Sequence, residues 1–156
     1  EGLLILDADA LNRISQSKLG PRFFLERKSK TWITPHIYEF KRLFPMIDGE
    51  NSMQLAINAA KEFNISVLLK GANSIVADKE KAWQLFGTDP DTARAGLGDL
   101  LSGFIAGSSA IELASQKKVT TESFSKYVLL HSFAAAKCRK GSHASEIGTQ
   151  LQKKEK

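Results

Sequence analysis

Residues 50–71, ENSMQLAINAAKEFN followed by ISVLLKG, constrain the fold more than any other stretch of this chain. Asn51 or Ser52 offers an N-cap, and Met53, Leu55, Ala56, Ala59, Ala60 and Phe63 recur at helical spacing. The short apolar run that follows reads as a buried strand. A helix that empties into such a strand predicts a parallel βαβ crossover, with helices covering a sheet.

Neighbouring segments repeat the pattern. LLIL reads as a buried strand emptying into a polar loop, DADALN, and TWITPH reads as a second strand. IYEFKRLF is a helical turn or two, stopped by Pro45. After LKG, the segments SIVAD, KEK and AWQLF predict a β-hairpin, so the sheet is expected to be mixed. The loop GTDPDTARAG then leads into a long helix rich in small residues, LGDLLSGFIAGSSAIELASQ. A further helix is expected in TTESFSKYVLLHSFAAAKCRKG, with Thr121 and Phe124 near its start and Gly141 past its end.

A chain of 156 residues can bury one sizeable core, so residues 1–150 are expected to form one α/β domain, with 151–156 a charged, frayed tail. The sequence opens without Met and already inside an apolar strand, so the domain is expected to lack an N-terminal part. The formal net charge of +5 is scattered rather than gathered on one motif, which argues against nucleic acid and suits anionic small molecules equally well. No apolar run approaches the ~18 residues of a membrane span, and no secretory segment precedes the first strand. Cys138 is the single cysteine and has no partner for an internal disulfide, which fits the cytoplasm.

RAGLGDLLSGFIAG, residues 94–107, is the first candidate for chemistry. It is neither a Rossmann fingerprint, lacking the third glycine, nor a P-loop, lacking Gly-Lys-Ser/Thr. What remains is a pair of glycines that allow close backbone approach, followed by a helix start that favours an anion. Asp99 is then either an ordinary helix-start acid or a general base beside an anion hole. Three other polar segments end strands, where ligands bind in α/β sheets. They are DADALN with Asp7, Asp9 and Asn12, TPHIYE with Thr34, His36 and Glu39, and KGANS with Lys70 and Ser74. Each has a bland reading, with Asp9 as a helix cap, His36 as a satisfied loop histidine and Lys70 as a solvated charge. Together with the glycine–Asp helix start they are expected to converge on one crevice. His131, on an expected helix, and His143 read as structural. No Cys/His cluster has zinc spacing, so no metal ligands are assigned and any metal is expected as nucleotide-bound Mg2+.

LDADALN, ITPHIYEFKRLF, VLLKGANSIVAD and ARAGLGDLLSGFIAG, in this order and at these intervals, closely resemble the ADP- or ATP-dependent NAD(P)H-hydrate dehydratases of the ribokinase-like superfamily. The resemblance runs from about Leu3 to Ala110. It implies a three-layer sandwich, in which a mostly parallel sheet carries helices on both faces and a β-hairpin. It also implies a lyase that restores NADH or NADPH from the hydrates NADHX or NADPHX, with ADP or ATP and Mg2+. On that resemblance His36 and Asp99 contact the hydrated dinucleotide, with Asp9 and Asn12 shaping the same site. Lys70, Gly71, Ala72, Asn73, Ser74 and Gly98 bind the nucleotide, and Asp99 is the catalytic base. Where the family usually carries Gly-Gly-Ser-Gly-Asp and His-Pro-Gly-Glu, this chain has Ala95-Gly96-Leu97-Gly98-Asp99 and His36-Ile37-Tyr38-Glu39. Relatives also place a glycine-rich loop from their N-terminal part in the substrate pocket, and a homo-oligomer is expected. Two other readings stay open: a small-molecule kinase of the same superfamily, and a non-catalytic nucleotide-binding or assembly protein.

Overall fold

A computed structural model of the chain describes residues 2–86, 95–139 and 141–152. The chain forms two compact units that divide after Phe86. The loop expected before the small-residue helix therefore lies, over 87–94, outside the described residues, as do residues 153–156 of the expected tail.

The first unit is a sheet of five strands in the order β1-β2-β3-β4-β5. These are β1 (Leu4–Leu6), β2 (Thr31–Ile33), β3 (Ser66–Leu69), β4 (Ser74–Ala77) and β5 (Ala82–Leu85). β1, β2 and β3 are parallel neighbours, with Ile5 opposite Trp32 and Ile33 opposite Val67. β3, β4 and β5 run antiparallel, with Leu68 opposite Val76 and Val76 opposite Trp83. The mixed sheet and its hairpin match the sequence reading.

The crossovers carry helices α1 (Ala8–Gln16), α2 (Ile37–Leu43) and α3 (Ser52–Phe63), with a 3-10 helix over Gly20–Phe24. Asn51 is the cap of α3: its side chain accepts from the N–H of Gln54 at 3.0 Å, and Ser52 is the first helical residue. Asn64 ends that helix in the left-handed region, at φ 51°. From one face of the sheet Ile33, Val67, Leu69, Ile75 and Ala77 meet Leu11, Phe40, Leu43, Ala56, Ala59, Ala60 and Phe63 from the three helices. Phe44 and Phe63 stack within this core at 4.9 Å between ring centroids. Trp32, Leu68 and Val76, the alternate residues of the strands, are buried as well, which explains why the strands read as unbroken apolar runs.

Two expectations need correction here. DADALN is not a polar loop, because α1 begins at Ala8, with Asp7 as its cap, and the helix buries Leu11 in the core. The apolar residues of α1 are few enough that the acids beside them dominate the local pattern. β1 is only partly buried, as suits a strand with one partner among the described residues.

The second unit contains α4 (Leu97–Ala114), α5 (Thr121–Ala136) and α6 (Ala144–Gln152). Thr120 caps α5 by accepting from the N–H of Ser123 at 3.2 Å. Gly141, past the end of that helix, has φ 76°. Ala134, Ala135 and Ile147 form a small core that takes in Leu97, Leu100, Cys138 and Leu151. α6, for which the sequence reading names no helix, runs to Gln152, two residues into the expected tail. α4 bears on the expectation that no apolar run approaches membrane-span length, and Asp99 and Glu112 keep it from being such a run. It has 18 residues with a mean hydropathy of 1.2, enough to cross a membrane by length and composition. Its interleaved Gly, Ser and Ala residues hide this when only large apolar residues are counted.

Candidate functional site

Parallel pairing puts the carboxyl ends of β1, β2 and β3 side by side. Asp7 follows β1, Thr34, Pro35 and His36 follow β2, and Lys70 follows β3. The backbone ties these ends together. The buried Thr34 donates its N–H to the carbonyl of Leu6 at 3.1 Å. Lys70 donates its N–H to the carbonyl of Pro35 at 2.8 Å, and His36 and Lys70 form an isolated parallel bridge. Two of the expected site residues, His36 and Lys70, therefore meet through a continuation of the sheet. Nothing in their local sequence signals this; it follows from strand order.

His36 is the cap of α2. Its Nδ1 accepts from the N–H of Tyr38 at 3.1 Å and of Glu39 at 3.3 Å, while Glu39 Oε2 accepts the N–H of His36 at 2.9 Å. With Nδ1 used as an acceptor, the proton of the neutral ring lies on Nε2, 3.5 Å from Glu39 Oε1. The side chain is 49% exposed. The exposed Tyr38 meets the imidazole edge-on, with 6.0 Å between centroids. His36 is thus a satisfied cap, as the bland reading has it, and its ring is accessible.

The ammonium of Lys70 lies 2.8 Å from Asp7 Oδ1, and both side chains are mostly buried. Asp7 is one of the strand-end polar residues expected to converge on a crevice, but the resemblance gives it no role of its own. The acid that was chosen from the same motif, Asp9, is exposed in the first turn of α1. Asn12, also expected at the site, accepts a hydrogen bond from the guanidinium of Arg42 and so links α1 to α2. Gly71, Ala72 and Asn73 form the turn between β3 and β4. Ser74 Oγ donates to the carbonyl of Gly71 at 3.2 Å and closes that turn. A Cβ at Gly71 would meet nothing within 4 Å among the described residues.

The glycine–Asp segment belongs to the second unit. Gly96 caps α4 at φ 78°, in the left-handed region that favours glycine, and its carbonyl accepts the N–H of Leu100 at 3.0 Å. Gly98 and Asp99 follow in the first turn, and Asp99 is exposed there, where the helix dipole favours a carboxylate. Leu97, the departure from the family's hydroxyl, packs against the core of Ala134, Ala135 and Ile147 and anchors the start of the helix. His131 on α5 is 4% exposed, and burial lowers its pKa to about 4. His143 is exposed before α6. Among the described residues, no group of three or more His, Cys, Asp or Glu could hold a metal ion.

Comparison with known proteins places this geometry in context. The profile of a family described as NAD(P)H-hydrate dehydratase matches residues 1–153. A bifunctional NAD(P)H-hydrate repair enzyme Nnr of Synechocystis is 42% identical over 105 residues, 67% of this chain and 20% of that protein. An ADP-dependent (S)-NAD(P)H-hydrate dehydratase of Nitrosopumilus maritimus is 35% identical over 107 residues, 66% of this chain and 37% of its own length. The crystal structure of a ribokinase-like superfamily protein from Enterococcus faecalis superposes with a TM-score of 0.77 at 27% identity, over 96% of this chain and 50% of that one. The chain thus spans half or less of the length of each of these proteins.

Proposed function

Since the chain belongs to the NAD(P)H-hydrate dehydratase family and shares the ribokinase-like fold, we propose that it takes part in nucleotide-dependent dehydration of NADHX or NADPHX. The observation that carries this reading is the bridge between His36 and Lys70 at the carboxyl ends of parallel strands. It joins the backbones of a residue with an accessible imidazole and a residue that carries an ammonium, where α/β sheets bind ligands.

In this reading Lys70 and the turn of Gly71, Ala72, Asn73 and Ser74 receive the phosphates of ADP or ATP, with Gly98 touching the same nucleotide. His36 contacts the hydrated dinucleotide, and Asp9 and Asn12 shape its site. Asp99 accepts the proton of the ring hydroxyl as the hydroxyl oxygen takes the terminal phosphoryl group. The ring nitrogen then pushes out phosphate, and loss of a proton from the adjacent ring carbon restores the double bond of NAD(P)H. Phosphoryl transfer has a loose transition state, so most of the acceleration comes from positioning and charge neutralisation rather than from a strong base. Mg2+ would enter with the nucleotide, whose phosphate oxygens supply most of its ligands. The single Cys138 fits a cytoplasmic setting, which with a homo-oligomer is part of the same proposal.

Incubation of the protein with NADHX and either ADP or ATP tests the reading. Recovery of NADH absorbance with release of phosphate supports it. A stable phosphoester would instead indicate a kinase, and nucleotide binding without turnover a non-catalytic role.

A further inference from the structure

Asp7 and Lys70 are 63 positions apart in the chain and 2.8 Å apart in the fold. The same carboxylate oxygen, Asp7 Oδ1, also accepts the N–H of Ala8 at 2.9 Å. Ala8 itself has φ 44°, a left-handed conformation that a non-glycine residue adopts at a cost and keeps only where its surroundings enforce it. The turn from β1 into α1 is thus strained at the residue that follows the carboxylate, and the carboxylate is spent on an ammonium from another strand. The backbone of Lys70 is held independently by the carbonyl of Pro35, at 2.8 Å.

A lysine side chain is a flexible four-carbon stem with three donors. Holding one donor on Asp7 removes most of the stem's freedom and leaves two donors for an incoming anion. We propose that Asp7 is a positioning residue that holds the Lys70 ammonium at the carboxyl end of the sheet for the phosphates of ADP or ATP. The proposal rests on the nucleotide-dependent reading above. Asp7 acts through Lys70 and not on the phosphates, whose charge it shares.

The role is separable from capping. Serine is as good an N-cap as aspartate but does not carry a carboxylate to Lys70. The experiment compares the wild-type chain with Asp7→Ser and Asp7→Glu, using protein labelled with 15N at lysine and the Lys70→Arg variant to assign the side-chain ammonium signal. ADP and inorganic pyrophosphate are the titrants, and thermal melts report folding. The wild type is expected to show a slowly exchanging Lys70 ammonium signal that shifts with either titrant. Asp7→Ser should remain folded with a lowered melting temperature, since it leaves the mostly buried ammonium without its anion, and should lose that signal and bind ADP about tenfold more weakly, as befits one displaced charge-assisted contact. Asp7→Glu should recover part of both. A folded Asp7→Ser variant that keeps the signal, or binds ADP as the wild type does, overturns the proposal. If the signal depends on Asp7 but neither titrant moves it in the wild type, the nucleotide reading itself fails, and the ion pair is then structural only.

Discussion

The imidazole of His36 and the carboxylate of Glu39 close the first turn of α2 on each other. His36 Nδ1 accepts the N–H of Glu39 at 3.3 Å, and Glu39 Oε2 accepts the N–H of His36 at 2.9 Å. A residue expected to touch substrate is therefore also one that holds its own helix in place, and a simple deletion of its side chain confounds the two roles.

The pair yields a prediction in two parts. His36→Ala should lose about 1 kcal/mol of stability, the usual worth of an N-cap, whereas His36→Asn should keep most of it. Both should lose contact with the dinucleotide. Chemical denaturation and binding of NADHX, measured on the two variants, separate these effects. Equal stability of His36→Ala and the wild type would show that the cap contributes nothing.

Much of this arrangement was legible before the structure. α3 and β3 announce themselves because Ala56, Ala59, Ala60 and Phe63 share one helical face and all four positions of β3 are buried. α6 does not, because Ile147 is its one buried residue and a single apolar contact leaves no period to read. The choice of Asp9 over Asp7 has a similar cause. Both acids stand in DADALN, and only strand order brings the residue next to β1 against Lys70. The residue two places later is already on the exposed side of the helix. The strain at Ala8 had no sequence signal at all, since alanine ordinarily marks an easy helical position.

The buried His131 predicts a pH dependence of stability. Burial lowers its pKa from an ordinary 6.5 to about 4, and its Nε2 has no partner among the described residues. The unfolded chain therefore binds the proton more readily than the folded one, so stability is fullest above about pH 6.5 and falls as pH drops towards 4. The loss amounts to about 3 kcal/mol when complete, at 1.36 kcal/mol for each pH unit of separation. Urea denaturation between pH 4 and 7 should show this slope in the wild type and a shallower one in His131→Phe. An unchanged slope in the variant would assign the effect to other groups.

Gly96 offers a test of how the start of α4 is set. Its φ of 78° is costly for any residue with a Cβ, yet among the described residues a Cβ there would meet only Ala144 Cβ, at 3.7 Å, which is ordinary contact. Gly96→Ala should therefore pay for the dihedral angle and not for a clash, losing about 1–2 kcal/mol. A melt that is unchanged would mean that the helix start relaxes without cost. Any accompanying loss of turnover beyond the loss of folded protein would show that the first turn must be aimed as well as formed.

Asp99 and Lys70 carry the predictions that bear most directly on chemistry, and they differ in kind. Asp99 is exposed in the first turn of α4, so Asp99→Asn should fold normally and retain nucleotide binding. If Asp99 takes the hydroxyl proton, turnover should nevertheless fall by about two to four orders of magnitude, the usual worth of a general base. Lys70 is mostly buried against Asp7, so Lys70→Ala leaves a carboxylate without its cation and should cost stability as well as nucleotide affinity. Lys70→Arg keeps the charge but not the compact ammonium, and should restore stability more fully than affinity. Recovery of NADH absorbance from NADHX gives the turnover, and calorimetric titration with ADP or ATP gives the affinity. Near-normal turnover in Asp99→Asn would remove it as the base, while unchanged nucleotide affinity in Lys70→Ala would move the phosphate site away from the end of β3.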